Sequence, residues 1–152
     1  MGCCVLPLFA LTPKNKMMKE LDVKKVSMAN IPVEAVPALL DEEKVAFQPV
    51  NTVNWAAYPY CPDVKFRIAY TDNAILIHYK VKEASVRAVA GKDNGPVWED
   101  ACVEFFSIPA GDGVYYNMEC NCVGRLLIGE IGRAHVRTPV TLGDLVFRFL
   151  YA

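Results

Sequence analysis

Along the middle of the chain, apolar and polar side chains alternate with the two-residue period of an extended strand. Val64, Phe66, Ile68 and Tyr70 fall on one parity, and Lys65, Arg67 and Ala69 on the other. Ala74 to Val81 follows, rich in β-branched and aromatic residues, and the short polar joint Thr71 to Asn73 predicts that the two stretches form a hairpin. A polar, glycine-bearing stretch from Gly91 to Pro96 separates this hairpin from a third strand, Ala101 to Phe106. Ala110 to Gly113 then turns the chain into a fourth, Val114 to Cys122. Ahead of the hairpin, Leu21 to Asp41 carries Ile31-Pro32 and Val36-Pro37, which predicts an extended lead-in with at most one short helical turn. Asn51 to Pro62 reads as a loop bearing Trp55, Tyr58 and Tyr60, with Trp55 expected to plug one end of the fold. Short strands, frequent turn signals and no sustained helical period predict an all-β, antiparallel fold.

The same period gives the third and fourth strands a dry side and a wet side. Ala101, Val103 and Phe105 form an apolar face, while Asp100, Cys102 and Glu104 share the opposite face with Phe106. On the fourth strand, Tyr116, Met118, Cys120 and Cys122 part from Tyr115, Asn117, Glu119 and Asn121, and the second set is a comb of hydrogen-bonding groups. If the two wet faces coincide, Glu104, Asn117 and Glu119 surround one spot. Neutral sugars are held by charge-assisted hydrogen bonds to their hydroxyls and by an aromatic platform against the ring, and Trp98 is the candidate platform. A straight strand would carry Trp98 roughly 20 Å from Glu104, so the chain must fold back, as Gly95-Pro96 permits. The plain alternatives are a core or rim aromatic for Trp98 and solvated strand residues for Glu104, Asn117 and Glu119. His78, on the more polar side of the hairpin, is expected at the surface.

Composition narrows the classes. The 152 residues, 53% hydrophobic and 22% charged, fit one globular domain. A net charge of −1 with scattered Lys and Arg gives no cationic field for a phosphate backbone, so nucleic acid is not an expected partner. No apolar run approaches the roughly 20 residues that cross a bilayer as a helix. The six cysteines, Cys3, Cys4, Cys61, Cys102, Cys120 and Cys122, do not form the framework of a small secreted scaffold and are expected to be mostly free and buried. Cys120 and Cys122 share a strand face, but a structural zinc site needs four ligands, and neither a metal nor another cofactor is expected. The apolar start, Cys3 to Leu11, lacks the basic flank and cleavage site of a signal peptide and reads as an upstream extension, residues 1–17, ahead of Met17 or Met18. The compartment stays open.

The run Val97 to Phe106 resembles, without a gap, the signature of family 9 carbohydrate-binding modules, in which a Trp-Glu pair is followed by Asp and then by Glu on a strand. The order of the neighbours agrees: a Trp-bearing opening at Val53-Asn54-Trp55, a hairpin over Lys65 to Val81, the signature, and the strand Tyr115 to Asn121, the last closest to a bacterial family-9-like branch linked to polysaccharide utilisation. The resemblance covers about eighty residues. It implies a jelly-roll-like β-sandwich over 18–129 that binds glucan or xylan chain ends or simple sugars between two Trp side chains. Trp98 corresponds to one stacking Trp and Glu104 to the Glu that bonds sugar hydroxyls. The family's second Trp comes from a later region without a counterpart here, so the sandwich is expected to be incomplete, and its Arg and Asn on the following strand stand here as Asn117 and Glu119. The expected partner is a carbohydrate, with an enzyme domain appended in the intact parent.

Two rival functions are weighed against this. A glycoside hydrolase could use Asp100 with Glu104, but four strand residues place them about 13 Å apart, beyond the roughly 5 to 9.5 Å that such carboxylate pairs need. A ligand-free interaction domain is the other, favoured by the open edges of an incomplete sandwich. From Glu130 the sequence also resembles a translated sequencing adapter: Glu130 to Val136, then Thr138 to Thr141 and Asp144 to Val146, with one base change implied at Arg137. A tail of that origin, 130–152, carries no evolved function, His135 included. Resequencing the gene from intact template is expected to read different codons after Gly129; an unchanged reading to Ala152 removes the adapter explanation.

Overall fold

The computed structural model describes residues 4–5, 20–27, 31–53, 55–108, 114–131, 137–139 and 146–151; for 4–5, 131, 137–139 and 146–151 it is described as backbone alone. The leader around Cys4 and Val5, the predicted turn at Ala110 to Gly113, and His135 lie outside the described residues. Strands β1 (Cys4–Val5), β2 (Lys24–Lys25) and β3 (Gln48–Val50) are short. The long central strands are β4 (Asp63–Tyr70), β5 (Ala74–Lys82), β6 (Cys102–Ser107) and β7 (Tyr115–Asn121). They are followed by β8 (Leu126–Ile131), β9 (Arg137–Pro139) and β10 (Val146–Tyr151). One sheet has the order β1-β6-β7-β8-β9, and the other β10-β5-β4-β2 with β3 also on β4. Their centres are antiparallel, and β1, β2 and β10 join β6, β4 and β5 in parallel. The all-β fold expected from the pattern and the sandwich implied by the resemblance are both observed. The sequence pattern missed β8, which follows a tight turn at Val123-Gly124 and was hidden because its apolar run is only Leu126 to Ile128.

The hairpin β4–β5 pairs Tyr70 with Ile75 and Asp63 with Lys82. Thr71 closes its turn: its backbone N–H donates to the Ala74 carbonyl (2.8 Å) and its hydroxyl donates to Asn73 Oδ1 (3.0 Å). The inward parity of both strands meets the inward parity of β6 and β7 in one core: Val50, Val64, Ile77 and Tyr79 from one sheet, Val103 and Cys120 from the other, with Phe66, Ile68, Phe105 and Leu126 around them. Each such side chain contributes roughly 1.5–3 kcal/mol by leaving water. The buried Tyr79 hydroxyl donates across the sandwich to the Glu104 carbonyl (3.3 Å), and burial raises its pKa above the usual phenol range. Cys120 is likewise pushed up to about 12 by burial, an inert thiol in the core.

The outer face of the β4–β5 sheet is covered by a 3-10 turn, Val33–Ala35, running into α1 (Val36–Glu42). This is more helix than the single turn the sequence predicts. Pro37 sits at its start, where a missing N–H costs nothing, and Val36 and Leu40, four apart on one side, bury against Ala69 and Leu76. The helix stops in a Schellman arrangement: Lys44 takes a left-handed φ of 54°, its N–H bonds the Asp41 carbonyl, and Val45 N–H bonds Leu40.

His78, expected at the surface, is buried under this helix. Its parity is the outward one, as the alternation predicts, but the sheet face is covered rather than wet. Arg67, also buried, donates from Nε to His78 Nδ1 (3.2 Å), from Nη1 to Asp41 (2.6 Å) and from Nη2 to the Pro37 carbonyl (2.9 Å), and lies 4.5 Å from the Phe47 ring centroid. Because Nδ1 accepts, the neutral imidazole keeps its proton on Nε2. Burial, then the charges of Arg67 and Lys80, lower the His78 pKa from 6.5 to about 4. The unfolded chain therefore takes up a proton between about pH 6.5 and 4 that the folded chain refuses, so stability falls as pH drops through that window and levels off below it. The loss is on the order of 3 kcal/mol. Urea midpoints measured from pH 7 to pH 4 should fall accordingly, and His78→Gln, whose side-chain oxygen can still accept from Arg67, should flatten the curve; an unchanged slope would show that another group titrates.

Candidate functional site

The other sheet turns a different outer face to the solvent side. In β6–β7, Val103 stands opposite Cys120 and Phe105 opposite Met118, the inward pairs. Glu104 then stands opposite Glu119, Phe106 opposite Asn117, and Cys102 opposite Asn121, all outward. The two wet faces coincide. Glu104, Asn117 and Glu119 are brought together on one surface, and all three are buried, at 7%, 2% and 0% exposure. Solvated strand residues they are not. Asn117 Nδ2 donates to Glu119 Oε1 (2.7 Å), fixing the amide, while its Oδ1 has no hydrogen-bond partner among the described residues.

The cover over this face is the segment from Glu83 to Ala101. At its near end, Asp100 accepts from the backbone N–H of Val89 (2.8 Å) and Ala90 (2.9 Å) and from Asn121 Nδ2 (2.9 Å). The Val89 and Ala90 amides, the Asn121 amide and the Arg87 charge outweigh desolvation and hold the Asp100 carboxyl below its ordinary range. Asn121 Oδ1 in turn accepts from Val123 and Arg125 N–H, tying the β7–β8 turn to the same carboxylate. At the far end, the turn at Lys92–Gly95 caps the edge of β8: Asn94 N–H bonds the Leu126 carbonyl, and Asp93 and Asn94 side chains accept from Leu126 and Ile128 N–H. Gly95 is required there, because a Cβ would lie 2.9 Å from the Lys92 carbonyl oxygen.

Between these anchors the chain makes a 3-10 turn, Val97–Glu99, that packs on β7 and β6. Val97 points down, fully buried with Ala90, Cys102 and Leu127. Trp98 points up, 48% exposed. The fold-back that the spacing demands is therefore present, and the Trp is carried on a turn seated on the strands that hold Glu104, Asn117 and Glu119.

Other residues fall elsewhere. Trp55 is 58% exposed and its neighbours Tyr58 and Tyr60 more than half exposed, so the predicted plug is instead a surface loop, whose 51–62 segment carries no charge. Asp100, committed to three donors, is a structural acceptor. Asn121 was visible only as one tooth of the polar comb; its place two residues before a turn with open amides was the signal for its role. Cys102 and Cys120 sit on opposite faces of the sheet, and among the described residues no group of three or more His, Cys, Asp or Glu is placed to hold a metal ion.

Comparison with known proteins places the chain in a family. The family model for carbohydrate-binding family 9 matches residues 34–150. Among solved structures, a protein from Bacteroides uniformis ATCC 8492 described as carbohydrate-binding is 58% identical and superposes with a TM-score of 0.75. The match covers 80% of this chain and 56% of that one, so the chain spans little more than half the length of that relative. No curated protein sequence matches the chain. With its signature strand, its two-sheet architecture and a family match over most of its length, the chain belongs to carbohydrate-binding family 9.

Proposed function

We propose that the domain is a noncatalytic carbohydrate-binding module that holds a mono- or oligosaccharide on the outer face of β6–β7–β8. Trp98 is the stacking platform, and Glu104, Asn117 and Glu119 bond the sugar hydroxyls. One observation carries this reading: the β6–β7 register gathers three buried hydrogen-bonding side chains on the face against which the Trp98 turn packs. Burying an amide is costly unless both its ends meet partners, and the Asn117 oxygen has no hydrogen-bond partner among the described residues. A noncatalytic role is supported by Asp100. The carboxylate that would partner Glu104 in a hydrolase is spent on Val89, Ala90 and Asn121 and is held ionised, which leaves it no proton to give.

Titration calorimetry with glucose, xylose, cellotetraose and xylotetraose tests the proposal. Binding of at least one sugar is expected. Trp98→Ala should weaken it about tenfold, the loss of one aromatic contact of roughly 1.4 kcal/mol. Glu104→Gln, which keeps the shape, should cost about tenfold or more through a lost charge-assisted bond. Thermal denaturation should show both variants folded. If no sugar binds at millimolar concentration, or Trp98→Ala binds like the parent, a ligand-free interaction domain takes the place of this reading.

A further inference from the structure

We infer that Asn121 is the positioning residue for Trp98: by tying the Asp100 carboxylate to β7 it holds the Trp98 turn on the strands that carry Glu104, Asn117 and Glu119. Its bearing on sugar affinity rests on the proposed carbohydrate site. The residues from Arg87 to Ala101 form a loop closed at its ends: the Ala101 N–H bonds the Arg87 carbonyl (2.9 Å), the Val89 and Ala90 N–H groups bond the Asp100 carboxylate (2.8 and 2.9 Å), and Arg87 Nε lies 3.8 Å from Asp100 Oδ1. These contacts hold the loop to itself. Trp98 belongs to that unit, because the Asp100 N–H also closes the Val97–Glu99 turn on the Val97 carbonyl (3.0 Å). A loop closed on itself must still be fixed to the sheet. Of the three hydrogen-bond donors to Asp100, two lie in the loop, and the third, Asn121 Nδ2 (2.9 Å), lies in β7.

Asn121 is itself held firmly enough for this task. Its side chain is wholly buried, its Oδ1 accepts from the N–H groups of Val123 (3.2 Å) and Arg125 (2.8 Å), and its backbone N–H bonds the Arg125 carbonyl (3.0 Å). With the oxygen so engaged, the amide has one end left for Asp100. Asn121 also stands two residues from Glu119 on the same face of β7, so the platform and the hydroxyl partners take their positions from one strand. The other anchors of the loop are less direct. Asp93 and Asn94 grip the edge of β8 four or more residues before Trp98, and Val97 is seated by apolar packing, which has no direction of its own. Removing the Asn121 amide leaves a buried carboxylate one donor short, and the loop end that bears it gains by moving toward water.

A double-mutant cycle, read by calorimetry with glucose, xylose, cellotetraose and xylotetraose, tests whether Asn121 acts through Trp98. Asn121→Ala is expected to weaken binding about tenfold, as Trp98→Ala does, and the double variant is expected to be no weaker than Trp98→Ala alone. Asn121→Ser, whose hydroxyl still serves the turn amides but stops short of Asp100, should match Asn121→Ala and carries the test if the alanine variant does not fold. In a Trp55→Phe background, where Trp98 is the single tryptophan, either variant should shift its emission to the red and make it easier to quench with acrylamide, while thermal unfolding stays cooperative. The inference is overturned, with the module reading intact, if the Asn121 variants bind sugar like the parent, if their loss multiplies with that of Trp98→Ala, or if the Trp98 emission is unchanged. If none of the four sugars binds, the module reading falls, and the Trp98 emission alone then decides whether Asn121 positions the turn.

Discussion

The register of β6 on β7 is the constraint on which the rest of the molecule depends. It sends Val103, Phe105, Met118 and Cys120 into the sandwich and Glu104, Asn117, Glu119 and Asn121 out of it. A slip of one residue would turn one strand over, placing Glu104 or Glu119 in the core opposite Ile77 and Tyr79 and an apolar row toward the cover segment. The clamp at the end of the pair excludes that slip. Asp100, just before β6, and Asn121, at the end of β7, are hydrogen-bonded to each other, and the Cys122 N–H bonds the Ala101 carbonyl beside them. The same carboxylate that fixes the register also collects the Val89 and Ala90 amides. Position of the cover segment, and hence of Trp98, is thus set by the interaction that sets which way Glu104 and Glu119 face.

Both sheets have covered outer faces, but the covers differ in kind. Over β4–β5 the helix seals the face with Val36 and Leu40, and the polar groups beneath it are internally matched: one guanidinium serves His78, Asp41 and the Pro37 carbonyl. That face is finished. Over β6–β7–β8 the cover is an irregular segment held at two ends, by Asp100 and by the Asp93–Asn94 turn, and its one apolar anchor between them is Val97. Beyond the anchored part, half-buried Phe106 and Tyr115 continue the same face. A rigid sheet beneath and a pinned turn above give the preorganisation that recognition of a small polar ligand needs.

Most of the architecture was legible in the sequence because it depends on period alone. The hairpin from Asp63 to Lys82, the dry and wet sides of β6 and β7, and the fold-back before Trp98 follow from alternation, turn chemistry and chain length. Period says which side of a sheet a residue occupies; it does not say what covers that side. His78 was placed on the correct face and still expected in water, because the helix that buries it comes from Val36 to Glu42, more than thirty residues earlier. Trp55 failed in the opposite sense. Its size argued for burial, yet its loop is held by a Trp55–Tyr58 turn and by the Ala84 N–H on the Tyr60 hydroxyl, contacts that leave the ring outside. Asn121 looked like its neighbours on the comb until the backbone amides it serves were known.

The depth at which Glu104, Asn117 and Glu119 lie sets this face apart from an ordinary wet one. A strand face in contact with bulk water keeps its carboxylates hydrated at little cost. Here two glutamates directly opposite each other are almost wholly removed from water, which penalises their charged forms. Replacing them with apolar residues would suit the sheet, since Leu127 beside Glu119 and Cys102 beside Glu104 already pack against Val97 and Ala90. Stability alone therefore favours a dry face throughout. The chain instead keeps a polar centre inside an apolar surround, below an aromatic left half exposed, and both depart from what packing alone favours.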